Sequence, residues 1–466
     1  MKTKEQIPGS FRDPSGFLFL EDGCLYRHVG YLYREHYDHL MGSHLYDELI
    51  RSNLLIPHEE VDPAFSENAY RVLKPEAIPF ISYPYEWCFS ALKDAALLTI
   101  RVQTKSLEYG MSLKDASAYN VQFRNSQPVF VDTLSFEKYQ PGSPWVAYRQ
   151  FCQHFLAPLL LMSYCDVRLG QLLRVFIDGI PLDLTSRLLP KHTYLRFSVL
   201  WHIHLHAKMQ QVFSNKKLRK DRKEKRFGLA AMRGLVDGLR TGVTALKWNP
   251  KQAQWVDYYS NSLVYSDEGF RLKQRLVSEF LDILQPKKLW DLGANTGLFS
   301  RVAANKGIYT VSWDMDPGAV EMNYRECNQK NLNSRILPLI IDLTNPSSGI
   351  GWEHRERESF LDRGPTETVL ALALVHHLAL GNNLPLNRLA QFFNGICQSL
   401  IIEFVTGEDP QARSIVGERF DLLQGYNQQS FEKSFQKYFR IINSQKIPGS
   451  ERMLYLMIKE RIPQKS

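Results

Sequence analysis

The C-terminal half of this chain predicts an α/β fold, a mostly parallel sheet covered by helices on both faces with its final strand reversed. A mainly helical α+β domain is expected before it. Three observations carry this reading. From about residue 265, amphipathic helices alternate with short apolar runs, which is the pattern of a parallel sheet. The stretch KLWDLGANTGLFS, residues 288–300, passes from a strand end through a glycine loop into a helix N-terminus, the arrangement that cradles a nucleotide. Acids also stand at the ends of the first three strands: Asp291, Asp314 and Asp342.

Length and composition set the frame. At 466 residues the chain predicts two to three domains, and 44% hydrophobic with 23% charged residues is ordinary for a globular protein. The start, MKTKEQIPGSFRDPSG, lacks an apolar leader, and the longest apolar window, FLAPLLLMSYC at 155–165, is too short to span a membrane. Six scattered cysteines without a C-x-x-C pair point to reduced thiols. A cytoplasmic protein without a membrane span is expected. The net charge of +8 is concentrated in NKKLRKDRKEKR, residues 215–226, which lacks interleaved aromatics. It reads as a solvated helix face or linker, so a nucleic-acid partner is not expected.

In the N-terminal half, SGFLFLEDGCLYRHV (15–29) reads as a hairpin, EHYDHLMGSHLYDELIRSN (35–53) as a helix, and AIPFISYPYEW (77–87) as a strand running into a hinge. MSLKDASAYNVQFRNSQPVFVDTLSF (111–136) places Asp115 and Asn120 five apart, followed by a hairpin that ends at Asp132. This resembles the catalytic loop of protein-kinase-like phosphotransferases. The resemblance implies that Asp115 would orient a hydroxyl while Asn120 and Asp132 share a magnesium ion. The departures are Lys114 in place of Arg or Gly, Asp132-Thr133-Leu134 in place of D-F-G, and no recognisable Gly-rich loop or strand lysine. In WHIHLH (201–206) the histidines are two apart. They sit within a helical pattern where such spacing does not converge, so core and surface roles are expected and no metal site.

The basic run leads into the helical stretch LAAMRGLVDGLRTGVTALKW, giving an N-terminal domain over 1–214, a connector over 215–264 and the α/β domain over 265–462. Within the last, DEGFRLKQRLVSEFLDIL predicts a helix, KLWDL, YTVSWD, ILPLIID, TVLALALV and SLIIEFV predict strands, and FRIINSQKIPGSERMLYLMIK predicts a closing hairpin. The loop spacing is D-x-G-x-x-x-G rather than the G-x-G-x-x-G of a dinucleotide fold. An acid before the loop repels a pyrophosphate but can receive an ammonium group.

Taken with the acids at the strand ends, this resembles the class I S-adenosylmethionine-dependent methyltransferases. The resemblance implies a Rossmann-like seven-stranded sheet with a reversed final strand, and S-adenosylmethionine as the cofactor. It places Asp291, Gly293, Asn295 and Gly297 in the cofactor loop, and the motif acid Asp291 near the cofactor's amino-acid end. Asp314 would hold the ribose with Met315 beside the adenine, and Asp342 with Leu343 would border the adenine edge. On the acceptor side, His376 and His377 after the fourth strand and Glu403 in the fifth are the candidate bases, needed only where a hydroxyl must lose a proton. No N-P-P-Y or D-P-P-Y tetrapeptide ends the fourth strand. Methyl transfer to a hydroxyl of a small molecule or glycan is therefore expected over N-methylation of adenine or glutamine. The alternatives are a bifunctional phosphotransferase and methyltransferase, or an inert cofactor-binding scaffold. The two-part layout also resembles host-specific nodulation proteins that carry a methyltransferase domain.

Overall fold

The computed structural model describes residues 4–62, 66–124, 126–208, 228–250, 265–329 and 335–460. The chain divides into two compact units. Unit 1 takes residues 1–249 together with 350–357, and unit 2 takes 250–349 with 358–466.

Unit 1 opens with a five-stranded antiparallel sheet of β1 (Lys4–Gln6), β2 (Gly16–Glu21), β3 (Cys24–Gly30), β4 (His58–Val61) and β5 (Ala69–Pro75), in the order β1-β2-β3-β5-β4. The expected hairpin is β2–β3. Asp22 and Gly23 turn it with φ of 51° and 76°, the two left-handed residues that a tight hairpin turn requires. The helix expected over 35–53 breaks into α1 (Arg34–Gly42) and α2 (Leu45–Arg51), because His44 adopts a left-handed φ of 64°. Residues 77–87 form no strand; a single 3-10 turn, Pro84–Glu86, leads into the long helix α3 (Phe89–Glu108).

Two small antiparallel pairs follow: β6 (Met111–Leu113) with β9 (Phe136–Lys138), and β7 (Val121–Arg124) with β8 (Gln127–Phe130). The β7–β8 pair is the hairpin expected between Asn120 and Asp132. Helix α4 (Leu229–Ala245) does not stand apart as a connector. It packs on α3, and Lys93 Nζ donates to the carbonyls of Thr244 at 2.9 Å and Leu246 at 2.8 Å. The basic stretch 215–226 lies outside the described residues. The WHIHLH segment is helical, and its histidines take separate partners. His202 Nδ1 lies 2.8 Å from the Tyr148 hydroxyl, and His204 Nδ1 lies 2.7 Å from Ser186 Oγ.

Unit 2 carries a seven-stranded sheet of β10 (Lys288–Leu292), β11 (Tyr309–Asp314), β12 (Ile336–Ile340), β13 (Thr366–Ala371), β14 (Cys397–Val405), β15 (Phe439–Lys446) and β16 (Arg452–Lys459). Its order is β12-β11-β10-β13-β14-β16-β15. All neighbours are parallel except β16, which runs antiparallel to both β14 and β15. This strand order, with one reversed strand, is the seven-stranded sheet that the methyltransferase resemblance implies.

Helix α5 (Asp267–Leu284) begins at Ser266, whose hydroxyl caps the Gly269 N–H at 3.1 Å. It buries Val277, Phe280 and Leu281 against Leu289, Leu370, Ile401 and Leu456. Strand β13 is shorter than its apolar run predicts. Ala373 turns the chain with a φ of 50°, and a helical turn begins at Val375. Among the described residues, no helix is long and apolar enough to cross a membrane.

Candidate cofactor site

The glycine loop after β10 is tied to the end of β11. The backbone N–H groups of Gly293 and Ala294 both donate to the Trp313 carbonyl at 2.9 Å, a double contact made possible by the left-handed φ of 75° at Gly293. Asn295 follows with a φ of 51° and donates its N–H to Asp314 Oδ2 at 2.7 Å, while Asp316 N–H donates to Oδ1 at 2.9 Å. The Asp314 carboxylate is thus fixed by two backbone donors. Burial pushes its carboxyl up to about 6 despite them.

A cavity of about 280 Å³ opens over this loop. Gly293, Asn295, Asp314, Met315, Asp342 and Leu343 line it. Met315 leaves 64% of its surface exposed there, an apolar flank next to a carboxylate. Asp342 is exposed and accepts from Thr344 N–H at 2.8 Å and Thr344 Oγ1 at 2.6 Å. A loop that admits close approach, a held carboxylate and a polarisable flank fit the ribose and adenine of S-adenosylmethionine.

Two residues expected at the cofactor lie behind the loop and do not line the cavity. Asp291 is buried, accepts from Ser300 Oγ at 2.6 Å, and is pushed by burial to about 7. Gly297 starts helix α6 (Leu298–Asn305) at a φ of 79°. A Cβ there would come within 2.4 Å of the Asn323 side chain, so this glycine serves close packing.

The acceptor-side residues also separate. His377 lines the cavity, beside Leu374 and Asn382, and its carbonyl accepts from Asn382 Nδ2 at 3.0 Å. Burial and the charge of Arg452 lower its pKa. His376 is fully buried, and its ring lies 4.2 Å from that of His377. Both sit on the helical turn that begins at Val375, after β13. Glu403 is a correction. It is fully buried, accepts from Tyr265 OH at 2.7 Å and pairs with Lys273 at 2.7 Å, so it does not serve the cavity as a base.

In unit 1, Asp115, Asn120 and Asp132 converge. Asn120 Nδ2 donates to Ser135 Oγ at 3.0 Å, and Ser135 Oγ donates to Asp132. Among the described residues, no group of three or more His, Cys, Asp or Glu is placed to hold a metal ion. Trp313, Leu374 and Asn382, which none of the sequence motifs marks, also line the cavity. Their positions at and after strand ends were the available signal.

No protein-family model matches the chain. Among solved structures, WbdD is similar at 17% identity and a TM-score of 0.30, over 41% of this chain and 40% of WbdD. Magnesium protoporphyrin IX methyltransferase (ChlM) from Synechocystis PCC 6803 gives 14% and 0.30, over 41% of this chain and 84% of that one. The N-methyltransferase NodS from Bradyrhizobium japonicum WM9 gives 10% and 0.31, over 42% and 98%. Likeness at that level says nothing about activity. Nodulation protein NoeA from Rhizobium meliloti (strain 1021) is 34% identical over 458 residues, spanning 97% of this chain and 95% of that protein. The chain belongs to the NoeA nodulation-protein family.

Proposed function

We propose that the protein transfers a methyl group from S-adenosylmethionine to a hydroxyl of a small molecule or glycan. The observation that supports this is the cavity at the carboxyl edge of a methyltransferase sheet, where Asp314 is held by two backbone N–H groups beside the exposed Met315. The cofactor, when bound, would supply a sulfonium methyl carbon at which an acceptor oxygen displaces the neutral thioether. The chain's part is to grip the ribose through Asp314, flank the adenine with Met315, Asp342 and Leu343, and leave the loop backbone at Gly293 and Asn295 open. Positioning of this kind supplies much of the acceleration in a displacement. His377 is the residue suited to take the acceptor's proton, because its lowered pKa keeps the imidazole neutral near pH 7. The N-terminal domain is assigned to acceptor recognition.

The test is methyl transfer from isotopically labelled S-adenosylmethionine into acceptors of a cell extract, compared between the wild type and Asp314→Ala. Label should enter hydroxyl-bearing products with the wild type alone. Equal labelling by both proteins, or none by either, would reject the reading.

A further inference from the structure

Asp132 stands where the kinase-like layout expects a metal ligand, and its carboxylate is already occupied from within unit 1. Arg27 Nη1 lies 2.6 Å from Oδ1, and each side chain of that pair is only 14% exposed. Leu134 N–H donates to the same oxygen at 3.3 Å, and the Ser135 hydroxyl donates to Oδ2. The neighbouring ligand types are engaged too. Asn120 gives its amide to Ser135 Oγ, and Asp115 accepts from Ser117 N–H at 2.8 Å. Carboxylates gathered this way require a nearby cation.

Arg27 is delivered rigidly. It lies within β3, opposite Leu18 of β2 on one side and Leu73 of β5 on the other, so the sheet fixes where its guanidinium reaches. Lys114 does not compete for Asp132. Its Nζ donates to Ser15 Oγ at 2.8 Å and pairs with Asp13 at 3.3 Å.

We infer that Arg27 is the resident cation of this site, standing in for the divalent metal that the layout would otherwise hold at Asp132. Phosphoryl transfer relies on metal ions bridging the phosphates and neutralising the charge that develops on them. A guanidinium bound to Asp132 closes that position, and unit 1 therefore carries out no metal-assisted phosphoryl transfer. Its folded cleft is maintained without a metal.

The experiment uses the full chain in thermal unfolding and calorimetric titration with Mg²⁺, Mn²⁺ and ATP. The wild-type unfolding midpoint should not respond to either metal, with or without ATP. Arg27→Gln, which leaves Asp132 without its cation, should melt several degrees lower and recover part of that loss on adding Mg²⁺ or Mn²⁺. The recovery should vanish in Arg27→Gln combined with Asp132→Asn. Metal-dependent ATP binding by the wild type that Asp132→Asn abolishes would overturn the inference, as would an Arg27→Gln protein indifferent to both metals. Should Arg27→Gln not fold, the wild-type titration decides alone.

Discussion

Lys273 and Glu403 form an ion pair of 2.7 Å with side chains 1% and 0% exposed. Lys273 also donates to Tyr265 OH at 2.8 Å, and Arg452 donates to that hydroxyl at 2.6 Å. Burial alone would raise the Glu403 carboxyl, but Lys273 and Arg452 outweigh it and hold it below its ordinary value. The ionised pair is a strut between α5 and β14. Lys273→Met should cost about 3–5 kcal/mol, because it strands a buried anion. Pairing it with Glu403→Leu should return most of that loss. Denaturant melts of the single and double variants check this, and equal losses would argue against the strut. Since the Glu403 pKa is depressed, the pair's contribution is present above the ordinary glutamate range and is lost as pH falls below it.

Asp314→Ala should lower affinity for S-adenosylmethionine at least tenfold while leaving the fold intact, since a hydrogen bond to a charged group contributes about 1.5–3 kcal/mol. Calorimetry with the cofactor measures it. An unchanged affinity would remove Asp314 from the site.

The two histidines should behave differently. With a hydroxyl acceptor, His377→Ala should reduce turnover by about 10²–10⁴ with little change in cofactor affinity. His376→Ala should act through stability, because that ring is buried. At saturating cofactor, which offsets the weaker binding expected as Asp314 protonates near 6, the wild-type turnover should hold on acidifying from neutral pH through the ordinary histidine range, because the His377 pKa is lowered. Full activity in His377→Ala would leave positioning as the whole mechanism.

Asp291 offers a pH test of its own. Its carboxyl is raised by burial to about 7, so the folded state favours the protonated form. Its burial costs nothing below the unfolded pKa and progressively more as pH rises toward 7. Asp291→Asn keeps an acceptor for Ser300 and removes the charge. The cofactor-free variant should match the wild type near pH 4 and exceed it by up to about 4 kcal/mol at pH 8. Urea midpoints across that range decide the point, and a constant difference would discount the buried charge.

Much of unit 2 was legible because its signals are local. Short apolar runs mark the strands, and the glycine spacing together with the acids at strand ends points to Gly293, Asn295, Asp314, Met315, Asp342 and Leu343, which line the cavity. What was not legible depends on partners far along the chain. Lys273 sits on an amphipathic helix and reads as a surface charge until Glu403, 130 residues later, is brought to it. Arg27 reads as an ordinary strand residue until the hairpin of Asp132 folds back on β3. The break between α1 and α2 was hidden for another reason: a histidine took the left-handed conformation usually left to glycine.

Residues 350–357 belong to unit 1 although they are encoded between β12 and β13 of unit 2. Arg12 Nε donates to Glu356 Oε1 at 2.8 Å across 344 positions, and Arg357 lies 4.0 Å over the Tyr119 ring. A growing polypeptide therefore releases the whole of residues 1–249 from the ribosome before it can finish the unit they build. The first unit to be started is completed only after the second has begun. Its final pieces arrive only after three strands of the other sheet have been synthesised.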